Sequence, residues 1–184
     1  MCGFVGFFSN NTNLEYDKKL VLEKMNETIV HRGPDSDGYY IDENVALGFR
    51  RLSIIDLAGG DQPQTSKDGR YTIVFNGEIY NYKEIREMLI NKHNVEFSTN
   101  SDTESILHLF EFYGEKTASM LRGMFAFVIY DKQEKSMYGA RDYFGIKPFF
   151  YTNCGEDFLF GSEIKSFLPH PGFKKAVNKD AMKL

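Results

Sequence analysis

Short apolar runs broken by turn formers dominate the chain, and their spacing switches between strand and helix periods. Cys2 to Phe8 (CGFVGFF) is continuously apolar with two glycines, which predicts a buried strand closely approached by another backbone or a ligand. Between Tyr16 and Val30, Leu20, Val21, Met25 and Ile29 recur at helical spacing and predict a helix packed by one face. Turn formers crowd His31 to Gly38 (HRGPDSDG), and Pro34 biases Gly33 away from helical backbone, so the helix should stop there. Tyr39 to Ile41, Val45 to Phe49 and Leu52 to Leu57 read as short strands separated by polar breaks. Lys67 to Arg70 (KDGR) is a hairpin-type turn into a β-branched and aromatic strand, Tyr71 to Phe75, with Asn76-Gly77 at its tip.

Lys83 to Lys92 and Thr103 to Tyr113 carry helical periodicity, the second with Ser101 or Asp102 as N-cap and Glu104 in its first turn. Met124 to Tyr130 and Ser136 to Arg141 flank DKQEK as one hairpin; Pro148 to Thr152 and Phe158 to Phe160 flank NCGED as another. The run MFAFVIY is apolar at every position, which calls for layers above and below its sheet. Past Phe167-Leu168 the chain turns polar and basic (PHPGFKKAVNKDAMKL), so a domain over 1–168 is expected, followed by an exit linker over 169–184 into a longer protein.

The 184 residues suit one domain with a sizeable core. Lys and Arg number 22 against 26 Asp and Glu, a net charge of −4, and the basic residues form no stripe, which argues against a nucleic-acid partner. Seventeen Phe and 11 Tyr with no Trp favour a β-rich interior, and the run Tyr143, Phe144, Phe149, Phe150, Tyr151 is expected to be core. No apolar run approaches the roughly 18 residues of a membrane span, and Met1 to Phe8 lacks a basic flank and a cleavage site. A cytoplasmic protein is expected, with Cys2 and Cys154 reduced and Cys154 incidental. The Asn10 and Asn26 sequons carry no expected role there.

His31, His93, His108 and His170 are scattered, neither cysteine has a partner at zinc spacing, and no phosphate-binding glycine loop is present. Cys2 is the informative residue, although a cysteine at the second position is by itself also compatible with an incidental thiol. With Met1 removed, one residue holds a thiol and an α-amine whose ordinary pKa values, about 8.5 and about 7.7 to 8.0, let the amine accept the thiol proton. With Met1 retained, that amine is tied up in a peptide bond.

Several further motifs stand in order: Cys2-Gly3-Phe4-Val5-Gly6, His31-Arg32-Gly33-Pro34-Asp35, Arg51-Leu52-Ser53-Ile54-Ile55-Asp56, Asn76-Gly77-Glu78-Ile79-Tyr80-Asn81 and Ser101-Asp102-Thr103-Glu104. Gly123-Met124-Phe125-Ala126-Phe127, Ala140-Arg141-Asp142, Gly145-Ile146-Lys147-Pro148 and Ser162-Glu163-Ile164-Lys165 follow. Together they resemble the class II glutamine amidotransferase domain of glutamine-hydrolysing asparagine synthetases.

That resemblance implies an α+β fold of the N-terminal-nucleophile hydrolase type, a four-layer α/β/β/α sandwich with two antiparallel sheets. It implies hydrolysis of L-glutamine to glutamate and ammonia through a thioester on Cys2, with the Asn76 amide and the Gly77 N–H as oxyanion donors. It further implies that Arg51 grips the substrate α-carboxylate, that Glu78 and Asp102 take the α-ammonium, and that Leu52, Ser53, Ile54 and Ile55 complete the pocket. No cofactor is implied in this chain; ATP and Mg would act in a C-terminal synthetase domain, the implied partner, which amidates aspartate. A homodimer is compatible with the resemblance. His31 is read as a loop residue, since the mechanism already has its base. An asparagine-synthetase-like enzyme with another ammonia acceptor, a non-catalytic glutamine-binding module and an N-terminal-cysteine hydrolase acting on acyl amides are the alternatives.

Overall fold

Two antiparallel sheets organise the chain, whose computed structural model describes residues 2–11, 14–52, 60–177, 180 and 182. The elements are β1 (Gly3–Ser9), α1 (Lys18–Glu27), β2 (Ser36–Ile41), β3 (Val45–Arg51), β4 (Gln64–Thr65), β5 (Tyr71–Ile79), α2 (Tyr82–His93), α3 (Asp102–Tyr113), α4 (Thr117–Met120), β6 (Gly123–Asp131), β7 (Ser136–Arg141), β8 (Phe150–Cys154) and β9 (Asp157–Gly161). The first sheet runs β2-β3-β1-β9-β8 and the second β4-β5-β6-β7.

Because successive side chains in a strand face opposite ways, each sheet feeds two cores. Phe4, Val45, Leu47, Phe49 and Phe160 of the first sheet meet Val74, Ala126, Val128 and Tyr130 of the second in a shared layer between the sheets. Val5, Phe7, Ala46 and Leu159 face outward onto Val21, Leu22, Met25 and Ile29 of α1. Ile73, Phe75, Phe125, Phe127 and Ile129 face the other way, onto Ile85 and Leu89 of α2 and Ile106, Leu107 and Leu109 of α3. The result is the α/β/β/α sandwich, and β6 is covered on both faces as its unbroken apolarity requires.

Local chemistry sets the helix starts. Asp17 caps α1 by accepting from Lys19 N at 2.8 Å and Leu20 N at 3.2 Å, so the helix begins later than the apolar period at Tyr16. Ser101 caps α3 by accepting from Glu104 N at 3.2 Å, and the Glu104 carboxylate returns to Ser98 N and Thr99 N, both at 2.7 Å. These bonds fix Asp102 in the first turn.

Three expectations change. β5 does not end at Phe75 but runs through Asn76-Gly77 to Ile79, because β6 continues opposite it as far as Gly123. Gly77 makes this possible: a Cβ there would lie 2.3 Å from the Met124 carbonyl oxygen. The aromatic run divides, with Tyr143 96% and Phe144 84% exposed and Tyr151 also outside, while Phe149 packs against the inter-sheet core. The Asp142 carboxylate causes this. It accepts from the backbone of Phe125 (3.2 Å), Ile146 (2.9 Å) and Lys147 (3.0 Å), holding the loop that carries Tyr143 and Phe144 on the outside. The packed body also passes Leu168: His170 is 2% exposed and the Phe173 ring lies 5.8 Å from that of Phe167. Of the strand expected over Leu52 to Leu57, Leu52 lies just beyond β3, and Ser53 to Leu57 fall outside the described residues.

His170 makes stability pH-dependent. Burial pulls its pKa below the ordinary 6.5, outweighing the attraction of Asp157. Its Nδ1 accepts from Gly172 N at 3.2 Å, leaving Nε2 to carry the proton facing Tyr16 Oη at 3.2 Å and Asp157 Oδ2 at 3.4 Å. Folded His170 resists protonation while the unfolded chain accepts it. The contribution is therefore intact above pH 6.5 and lost as pH falls from there towards the depressed folded value. A thermal midpoint that falls less steeply in His170→Gln than in the parent, between about pH 7 and about pH 5, is the expected result.

Candidate active site

The start of β1, the end of β3, the second half of β5 and the first turn of α3 carry the residues with chemistry. Cys2 precedes β1 and borders the inter-sheet core. Its Sγ accepts from Leu52 N at 3.4 Å and faces Leu52 O at 3.7 Å, so the strand ends of β1 and β3 bring thiol and backbone together across 50 residues. Arg51, the last residue of β3, pairs through Nη1 with Asp61 Oδ1 at 2.9 Å and lines an open cavity of about 410 Å³ with Asp37, Tyr39, Asp61 and Gln62. Among the described residues, Arg51 is the sequence-based site residue that lines this cavity. Ser53, Ile54 and Ile55 fall outside the described residues.

Asn76 and Gly77 lie mid-strand in β5. Two residues from Val74, the Asn76 side chain shares its face and enters the layer between the sheets, the layer that Cys2 borders. Asn76 is 2% exposed, and its Nδ2 is buried with no hydrogen-bond partner. A buried amide donor left unpaired costs about 1 to 3 kcal/mol, a cost that an acceptor reaching the Asn76 amide would remove. Glu78 is exposed on the same strand.

Asp102 accepts from Ile79 N at 2.9 Å, which ties the first turn of α3 to β5 just past Glu78. Burial raises the Asp102 pKa above the ordinary carboxylate value, backbone N–H donors at Ile79, Asp102 and Thr103 oppose this, and the charge of Glu78 adds to the rise. A cation placed between these two carboxylates would relieve that repulsion.

A second carboxylate organises the other side. Glu163 Oε1 receives Arg32 Nη1 at 3.2 Å and His31 Nε2 lies 2.8 Å away, while Lys165 Nζ sits 3.3 Å from Oε2. Burial raises the Glu163 pKa, but these partners outweigh it and hold it below the ordinary value. Arg32 Nε also donates to Cys2 O at 3.0 Å, fixing the backbone that bears the Cys2 thiol. Arg32 and Glu163 lie within the HRGPD and SEIK motifs, which is their one signal in the sequence, and their meeting across 131 residues is a property of the fold. Among the described residues no group of three or more His, Cys, Asp or Glu is arranged to hold a metal ion.

Comparison with known proteins agrees with this frame. A profile described as a glutamine amidotransferase domain matches residues 1–184. The chain is 53% identical over 169 residues to asparagine synthetase [glutamine-hydrolyzing] 1 of Bacillus subtilis, covering 91% of this chain and 27% of that protein. It is 39% identical to asparagine synthetase [glutamine-hydrolyzing] 3 of the same organism over 99% of this chain and 30% of that one. The chain thus spans less than a third of the length of these relatives. Among solved structures, a glutamine phosphoribosylpyrophosphate amidotransferase from B. subtilis superposes with a TM-score of 0.72 at 21% identity, covering 90% of this chain and 43% of that one, a likeness of fold. With the profile spanning every residue, the chain belongs to the glutamine amidotransferase domain family.

Proposed function

We propose that this domain hydrolyses L-glutamine to glutamate and ammonia, with Cys2 as nucleophile. The observation that carries the reading is the buried, unpartnered Asn76 Nδ2 on the strand facing the layer that Cys2 borders. Once Met1 is removed, the Cys2 α-amine takes the thiol proton and Sγ attacks the substrate γ-carboxamide carbon. The carbonyl oxygen becomes an oxyanion held by Asn76 Nδ2 and the Gly77 N–H. Collapse breaks the C–N bond, the amine returns its proton to the departing ammonia, and a γ-glutamyl thioester remains for water to cleave to glutamate.

Recognition of a free amino acid needs opposite charges at its head. The Arg51 guanidinium suits the α-carboxylate bidentately, with Asp61 released to solvent when substrate takes its place. Glu78 and Asp102 suit the α-ammonium, which also settles the repulsion between them. Leu52, Ser53, Ile54 and Ile55 belong to the pocket wall in this reading. In the longer protein, ammonia passes to a synthetase domain where ATP and Mg act and aspartate becomes asparagine, in the cytoplasm. No helix among the described residues is long and apolar enough to cross a membrane.

The test is product formation by protein shown by intact mass to begin at Cys2. Equal amounts of glutamate and ammonia from L-glutamine, with little hydrolysis of N-acetylglutamine, are expected. Absence of glutamate from folded protein, or equal turnover of the acetylated amide, would overturn the reading.

A further inference from the structure

Between Gln64 and Ile79, one edge of β5 is left by its partner strand and taken over by side chains. β4 pairs Gln64 with Ile73 and Thr65 with Thr72, a register that, continued, sets residue 62 opposite Phe75. Pro63 lacks an N–H, and the backbone ladder stops there. The Gln62 side-chain amide continues it: Oε1 accepts from Phe75 N at 2.6 Å, and Nε2 donates to Phe75 O at 3.0 Å. A primary amide carries the same donor and acceptor as a peptide group and so replaces one rung. The same Nε2 lies 3.5 Å from Thr103 Oγ1, beside Asp102. Four residues further along the same edge, Asp102 Oδ2 holds Ile79 N at 2.9 Å.

In an antiparallel strand, peptide groups of alternate residues face the same neighbour. Phe75 and Ile79 both present their N–H groups away from β6, so Gly77, midway between them, presents its N–H along this same edge. Lacking a Cβ, Gly77 has only its backbone to fix its direction. The edge segment carrying this donor is therefore clamped at both ends by side chains, one from the segment before β4 and one from α3.

We infer that Gln62 is a positioning residue for the Gly77 oxyanion donor, acting through Phe75 and paired with Asp102 at the far end of the clamp. The inference deepens the proposed glutaminase reading and rests on it. Losing the rung frees Phe75 and lets the Gly77 N–H rotate away from the place where charge develops. A misplacement of about 1 Å costs on the order of 10²-fold in rate, while Arg51 and Asp102, the neighbours proposed to hold the substrate head, keep their own bonds to Asp61 and to Ile79 N.

The experiment compares Gln62→Ala and Gln62→Glu with the parent, all beginning at Cys2. Gln62→Glu keeps the acceptor for Phe75 N and loses the donor to Phe75 O. The expected result is a fall in kcat of about 10- to 100-fold for Gln62→Ala with KM within about threefold, and a smaller fall in kcat for Gln62→Glu, whose added charge shares the cavity with Arg51. Affinity for glutamate γ-semialdehyde should fall in step with kcat, because its adduct joins Sγ to the aldehyde carbon and sets the former carbonyl oxygen at the oxyanion position. Affinity for L-glutamate should hold. An unchanged kcat in both variants, or equal weakening of the two ligands, overturns the inference. Should the parent release no glutamate, the glutaminase reading fails separately. The clamp is then judged on the Gly77 amide resonance, which should move in Gln62→Ala while those of β7 stay; an unmoved Gly77 overturns it.

Discussion

Cys2→Ala reduces glutamate release from L-glutamine to the uncatalysed background while leaving the fold and glutamine binding in place. The thiol is the group proposed to form the covalent bond, and it lies against the Leu52 backbone at the end of β3. Structurally the change is mild. Cys2 is half-buried at the border of the inter-sheet core, and the lost contact is one hydrogen bond from Leu52 N, worth about 1 kcal/mol with water free to replace it. Retaining Met1 slows the reaction for a different reason: the thiol survives, but its base becomes a peptide nitrogen, a loss of about 10² to 10⁴. Glutamate assays beside thermal midpoints and calorimetric glutamine binding check both. Wild-type turnover by Cys2→Ala would end the thioester mechanism.

Asn76→Leu separates activity from stability. Removing an oxyanion donor costs about 10² to 10³ in kcat, so turnover should fall by that factor. Asn76 Nδ2 is also buried without a partner, and replacing it by an apolar group of similar volume removes an unsatisfied donor. The expected thermal midpoint is therefore equal to or above the parent's. Asn76→Asp, in contrast, sets a carboxylate where the oxyanion would develop and should be as inactive without the gain in stability. Denaturation midpoints measured beside kcat distinguish the two; a large loss of stability in Asn76→Leu would mark Asn76 as part of the packing.

The layers were legible because they follow from apolar periods. MFAFVIY reads as a strand covered twice, and it is one. The helices α1, α2 and α3 follow from their spacing, and the Ser101 cap from residue type, whereas the Asp17 cap appears only in the structure. What escaped depends on backbone groups. The length of β5 turns on a glycine allowing β6 to come close, and the outward Tyr143–Phe144 loop on three N–H groups gathered by Asp142. Apolar composition carries no record of either. At the site, Cys2, Asn76 and Asp102 announce themselves through their functional groups and motif setting. Gln62 does not, because its task is to imitate a stretch of main chain, and Glu163 does not, because its partners come from far along the sequence.

The double covering of β6 bears on how the chain finds its alignment. Where one face of a strand is polar, sliding by a residue turns every apolar group to water and is rejected. β6 has no such safeguard, for both faces are apolar and a shifted strand would still be buried. The order of side-chain sizes discriminates instead, with Ala126, Val128 and Tyr130 fitting between the sheets and Phe125, Phe127 and Ile129 fitting beneath the helices. Two carboxylates secure the ends: Asp131 is gripped by Arg70 through Nη2 at 2.7 Å, and Asp142 takes Phe125 N at 3.2 Å. Folding is thus a search in which polar pins at the strand's ends select among misaligned compact states that hydrophobicity alone leaves nearly equal in energy.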